Sequence, residues 1–291
     1  MQEKRRTLLV AAATTAVLAA GGAAVGAAVV LGGLYDVAAT QEHWPVTYGV
    51  LEKAMRHSVR LRARDIAEPP LADDTMALRG AACFRDKCVQ CHGAPGVAPD
   101  DIGKGMQPVP GPLVDARRHW RARELYWVTR HGIRMSGMPA WEFRLREDEL
   151  WELVAFMQRL PELGAPAYAD WMRRAPSPPA CGAGSDRPPA PPVTLATVPG
   201  DRERGRTALY QHACNACHVI PGVVGAQVYV GPPLAAIGSR QFIAGKLPNT
   251  PDNMMRWLMH TQQVKPGTAM PEMGVSERDA RDMAAYLAGL R

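Results

Sequence analysis

An all-α protein is the fold class this sequence predicts: one N-terminal transmembrane helix followed by two tandem copies of a small helical unit. Three observations carry that expectation. An uncharged apolar run fills most of the first 35 residues, the pattern Cys-x-x-Cys-His occurs twice in matching surroundings, and a stretch rich in Pro, Gly and Ala separates the two occurrences.

The anchor comes first. Lys4, Arg5 and Arg6 precede an apolar run from Leu8 to Tyr35 that contains no charged residue. A cleavable export signal has an apolar core of only ~7–15 residues, whereas a bilayer takes ~20–25. Residues 1–40 are therefore expected to form an uncleaved membrane anchor, with Val37-Ala38-Ala39 as the alternative cleavage site. Positive charge ahead of the run keeps the N-terminus inside and exports the rest of the chain. The expected location is a bacterial inner (cytoplasmic) membrane, with the folded units on its periplasmic face. Gly22 and Gly26 form a small-residue pair of the kind that packs membrane helices together. Residues 41–74 read as a periplasmic stalk. In it Trp44 and Tyr48 suit the membrane–water interface, and 50–64 form a basic amphipathic helix (Lys53, Arg56, Arg60, Arg62, Arg64), placed near lipid headgroups or against a partner complex.

The remaining chain is an internal repeat, with units at 75–163 and 199–291. Each unit opens with a glycine and an aromatic residue ahead of the motif: Gly80 and Phe84 before Cys88-Val89-Gln90-Cys91-His92, and Gly205 and Tyr210 before Cys214-Asn215-Ala216-Cys217-His218. Each then has a methionine–proline step, Met138-Pro139 and Met270-Pro271. Each closes on an amphipathic helix with apolar residues at helical spacing, around Leu150 to Leu160 and Met283 to Leu290. Between the units, 164–198 includes Pro176-Ser177-Pro178-Pro179 and the Pro188–Pro192 run. That proline density predicts an extended, semi-rigid spacer.

The motif carries chemistry. Two thiols with two residues between them can reach the two vinyl groups of a protohaem and form thioethers, and the histidine directly after them then sits under the iron. A structural zinc site needs further Cys or His ligands at finger-like spacing, and His43, His57, His119, His131, His212 and His260 supply no repeated pair. A redox Cys-x-x-Cys needs a thioredoxin-like βαβ context, which the helical pattern does not offer. The expected cofactors are therefore two covalently bound haem c groups, held by Cys88, Cys91 and His92 and by Cys214, Cys217 and His218. A thioether opposite the histidine raises the potential and suits electron transfer. Met138 and Met270 are the expected sixth ligands because both precede a proline at matched places; Met135 and Met273 are their rivals.

These residues resemble class I cytochrome c domains, twice over. The resemblance implies that the first and last helices of each unit cross, through Gly80/Phe84 with Phe156 and Gly205/Tyr210 with Tyr286. It also implies that a proline carbonyl orients each proximal histidine, from Pro232 in Gly231-Pro232-Pro233-Leu234 and, less closely, from Pro112. The second unit, with Ile237-Gly238-Ser239-Arg240, Trp257 and Lys265-Pro266-Gly267-Thr268-Ala269-Met270-Pro271, is similar to the cytochrome c domain fused to subunit II of some cytochrome c oxidases. That likeness implies that Arg240 and Trp257 hold haem propionates. The chain departs from subunit II in having no copper-binding cupredoxin domain. The first unit resembles a common subtype of bacterial membrane-bound cytochrome.

Two cysteines are left over. Cys83 aligns with Leu209 and reads as a small core residue, and Cys181 reads as a free thiol, a Cys83–Cys181 disulfide being the alternative. The formal net charge of +6 is too small and too evenly spread to indicate nucleic-acid binding. The expected function is respiratory electron transfer, to a haem–copper oxidase as terminal partner or as the cytochrome subunit of a periplasmic dehydrogenase, with no catalytic residues of its own. A dihaem peroxidase is disfavoured because peroxide needs an open iron position.

Overall fold

The structure, a computed structural model, describes residues 2–182, 199–228 and 230–291. Helix α1 (Gln2–Leu31) has a mean hydropathy of 2.0 in its most apolar stretch, buries no residue against the rest of the chain, and is long and apolar enough to cross a membrane. It stops at Gly32-Gly33, and Pro45 then starts α2 (Pro45–Ala63).

The stalk helix is not free-standing. Val59 and Ala63 of α2 are buried, and the Arg56 guanidinium lies 5.2 Å from the Trp120 ring centre. The helix thus docks on the first unit, packing against α7 (Ala122–His131).

The first unit runs through α3 (Asp74–Lys87), α4 (Val89–His92), α5 (Asp101–Lys104), α6 (Ala116–His119), α7 and α8 (Glu147–Arg159). Asp73 caps α3 by accepting from Thr75 N, and Glu149 closes the start of α8 by accepting from Arg146 N at 2.8 Å. Helices α3 and α8 cross at Gly80, where any Cβ would collide with the Glu152 carbonyl. That close approach brings Phe84 and Phe156 edge to face at 5.3 Å, both wholly buried. Tyr126 stacks on Trp151 at 4.2 Å and ties α7 into the same core.

The extended spacer expected over 164–198 is corrected in its first half. Helix α9 (Ala165–Arg174) buries Tyr168 and lays Trp171 against Phe156 at 5.7 Å. Beyond it, Cys181 joins Cys83 in a disulfide, 98 residues apart in sequence. The expected core thiol and free thiol are therefore one cross-link. Gly182 N then donates to Glu149 Oε1 at 3.1 Å. The first unit's packed structure thus extends past 163 to about 182, because the apolar face of α9 outweighs the local proline content. The Pro188–Pro192 run lies outside the described residues.

The second unit contains α10 (Arg202–Gln211), a two-residue antiparallel hairpin of β1 (Phe242–Ile243) and β2 (Leu247–Pro248), α11 (Pro251–Met259), α12 (Thr261–Val264) and α13 (Glu277–Ala288). Its crossing repeats the first: a Cβ at Gly205 would collide with the Asp282 carbonyl. One expectation changes here. Tyr210 is 55 % exposed, and the buried residue one turn after the glycine is Leu209. Gly80 and Phe84 are four residues apart, as are Gly205 and Leu209, so Leu209 corresponds to Phe84 and Ala208 to Cys83. The second unit carries one more residue between glycine and motif, and Ala213, in a left-handed conformation (φ 55°), absorbs it.

Candidate functional site

Both Cys-x-x-Cys-His segments fold into the same tight turn. His92 N and Cys91 N donate to Cys88 O at 2.9 and 3.1 Å; His218 N and Cys217 N donate to Cys214 O at 2.9 and 3.2 Å. The turn gathers both thiols and the imidazole at the end of the unit's first helix. All four motif cysteines are free thiols, in contrast to Cys83 and Cys181. Burial pushes the Cys88 thiol up to about 12, with Cys91 adding to the rise and Lys87 opposing it. It pushes Cys214 up to about 11, opposed by a bond within its own backbone and aided by Cys217.

Each histidine is oriented by a loop carbonyl. His92 Nδ1 lies 2.7 Å from Gly111 O, and His218 Nδ1 lies 2.8 Å from Pro232 O. A carbonyl only accepts, so Nδ1 carries the proton in each ring. Nε2 is left as the basic nitrogen, without a hydrogen-bond partner among the described residues. This is the arrangement that fixes ring and tautomer for a metal ligand. Burial holds His92 below the usual imidazole range, partly offset by its bond to Gly111. In the second unit the carbonyl is the expected Pro232. In the first it is Gly111, not Pro112, because the Pro112 carbonyl belongs to the turn that enters the helix at Leu113. Gly231 is required by contact: a Cβ there would run into the His218 ring.

The methionine steps lie on loops pinned to neighbouring helices. Helix α7 ends at Gly132, whose positive φ of 67° and close approach to Met138 O and Pro139 both call for glycine. Ile133 N donates to Met138 O at 3.1 Å, and Met138 N donates to Ser136 Oγ at 3.2 Å. Met138 is half-buried, whereas its rival Met135 is 95 % exposed at φ 58°. In the second unit Gln262 Nε2 donates to Met270 O at 2.8 Å, and Met270 packs on that unit's core, while Met273 is 38 % exposed.

Arg240 and Trp257 take different positions. Arg240 is exposed and donates from Nη2 to Pro233 O at 2.7 Å, bracing the loop that orients His218. Trp257 is half-buried against the core formed by Leu258 and Ile243.

Two features have no counterpart among the sequence expectations. Met106 packs its thioether on Gly137, next to Met138, and nothing in its local sequence signals that. An Arg-acid pair also recurs at both helix crossings. Arg79 Nε meets Glu152 at 2.6 Å, and Arg204 meets Asp279 at 2.9 Å and Asp282 at 3.6 Å. The Arg-Gly pairs Arg79-Gly80 and Arg204-Gly205 are its legible signature.

Free paired thiols beside an oriented imidazole fit covalent haem, and a helical unit built around them defines a c-type cytochrome. A family model described as cytochrome c oxidase, cbb3-type, subunit III matches residues 75–157 and 201–287, more than half of the sequence, and the chain belongs to that family. The family implies haem c binding. The chain is also similar to cytochrome c oxidase subunit 2 of Alkalihalophilus pseudofirmus, at 34% identity over 89 residues, which is 30% of this chain and 25% of that protein. It thus spans about a quarter of that relative's length.

Proposed function

We propose that this chain is a membrane-anchored dihaem cytochrome, built from two class I domains, that carries electrons to a haem–copper oxidase. The observation that carries the reading is the duplicated histidine geometry, His92 on Gly111 and His218 on Pro232, at nearly equal distances. One functional binding turn needs one such loop, and the chain maintains two. Cys88, Cys91 and His92 hold one haem, with Met138 as sixth ligand; Cys214, Cys217 and His218 hold the other, with Met270. Arg240 and Trp257 flank the second haem's propionates. Each haem, when bound, supplies one-electron iron chemistry, and a His/Met pair leaves no position for peroxide.

The Cys83–Cys181 disulfide favours an oxidising compartment, which supports domains exported to the periplasmic face. Lys4, Arg5 and Arg6 ahead of α1 support the same orientation. The cbb3-type family and the likeness to an oxidase subunit support the acceptor. Purification from membranes in mild detergent tests the partner. A haem–copper oxidase that co-purifies supports the reading; a dehydrogenase in its place overturns the acceptor assignment.

A further inference from the structure

Among the described residues, one short finger of the first unit carries side-chain contacts into the second. It is the segment after Met138-Pro139, and its own unit holds it firmly. Trp141 N donates to Thr129 O at 3.2 Å, Glu142 N to Arg130 O at 3.1 Å, and the Arg130 guanidinium grips Glu142 at 2.9 Å. Leu145, at the base, is buried in the first core. The residues between point outward and enter the other unit. Phe143 packs with the second unit's hydrophobic core. Its ring centre lies 4.6 Å from the Arg204 guanidinium carbon and 6.4 Å, edge on, from the His212 ring. Arg144 Nη2 donates to Gln211 O at 2.6 Å.

The receiving surface is equally fixed. Asp279 and Asp282 hold Arg204, and His212 Nε2 lies 3.2 Å from Asp279 Oδ2. Arg204 therefore presents its face to Phe143 with little freedom left to lose. A cation over an aromatic face and a charged donor on a carbonyl are both favourable at these distances. Both partners also sit close to the haem-binding segments. Phe143 is five residues past Met138, and His212 is two residues before Cys214.

We propose that Phe143 and Arg144 are the docking contact that fixes the two cytochrome domains in one electron-transfer geometry. Phe143 bridges the first domain's methionine loop to the second domain's haem-attachment turn. This rests on the dihaem reading above. The step it serves is the exchange of one electron between domains: the donor domain's iron is oxidised by one, the acceptor domain's iron is reduced by one, and no bond or proton moves. Phe143 is a positioning residue and carries no charge itself.

The test uses the full chain in detergent, as wild type, Phe143→Ala, Arg144→Ala and Phe143→Tyr. Haem content and both midpoint potentials are measured first on each. Interdomain electron equilibration is then monitored after flash reduction with a soluble photoreductant. Amide hydrogen exchange across 208–216 is read by mass spectrometry on the same samples. The expected result for both alanine variants is equilibration about tenfold slower, as the docked arrangement becomes the minor one. Exchange across 208–216 quickens, the potentials stay as in wild type, and Phe143→Tyr restores the rate. Two haems with wild-type rate and exchange in Phe143→Ala and Arg144→Ala overturn the docking contact alone. One haem per chain overturns it together with the dihaem reading.

Discussion

Arg204 lies 2.9 Å from Asp279 on the buried side of the second helix crossing, with His212 on the carboxylate's other oxygen at 3.2 Å. Burial works to raise the Asp279 pKa, but hydrogen bonds from His212 and Ser276 together with the Arg204 charge outweigh it and hold it below its ordinary 3.8. A depressed carboxylate contributes stability that is complete above its unfolded value and is lost as pH falls through the lower folded one. Asp279→Asn therefore flattens the acid limb of the second domain's unfolding curve below about pH 4. At neutral pH it costs about 1.5–3 kcal/mol, because Arg204 loses the nearer of its two carboxylate partners while Asp282 stays beside it. Denaturant titrations at neutral and acid pH check both parts.

Breaking the Cys83–Cys181 disulfide destabilises the first domain. Cross-linking residues 98 apart removes about 4–5 kcal/mol of loop-closure entropy from the unfolded chain. Cys181→Ser is expected to lower that domain's unfolding midpoint, and added reductant to lower the wild type to match. A midpoint that neither change moves would show that the bridge contributes nothing.

The helix phase in the second domain makes a sharp contrast between neighbours. Leu209 is 1 % exposed and Tyr210 is 55 % exposed. Leu209→Ala is expected to cost about 2–5 kcal/mol, and Tyr210→Ala to stay within about 0.5 kcal/mol of wild type. Equal losses at both positions would place the tyrosine in the crossing after all.

Legibility in the sequence depended on which signals are local. The repeated motif, the crossing glycines and the Met-Pro steps recur in the same order in both units as short local signatures and could be read directly. The phase of α10 could not, because one residue in a left-handed turn, Ala213, shifts the register without any glycine to announce it. Helix α9 was obscured by the prolines after it, although Tyr168, Trp171 and Met172 lie at helical spacing. The disulfide and the Phe143 contact depend on proximity between distant segments, which no periodicity encodes. The candidate haem ligands came from motif chemistry; the Gly111 carbonyl emerged only from how the 105–113 loop turns.

The methionine assignments separate by spectroscopy. Met138→Ala is expected to remove about half of the weak sulfur-to-iron absorption band of the oxidised protein, and Met270→Ala the other half, since each thioether would close one iron. Met135→Ala and Met273→Ala are expected to leave the band intact. A loss on substituting Met135 or Met273 would reassign the ligand.

The most direct test is the mass of the intact chain under denaturing conditions, after purification in detergent. Thioether-linked haem survives denaturation, whereas a metal or haem held by coordination alone is released. The expected result is the polypeptide plus two haem groups, falling to one on Cys88→Ala/Cys91→Ala and to one on Cys214→Ala/Cys217→Ala. A wild-type chain carrying a single haem, or none, would contradict the account.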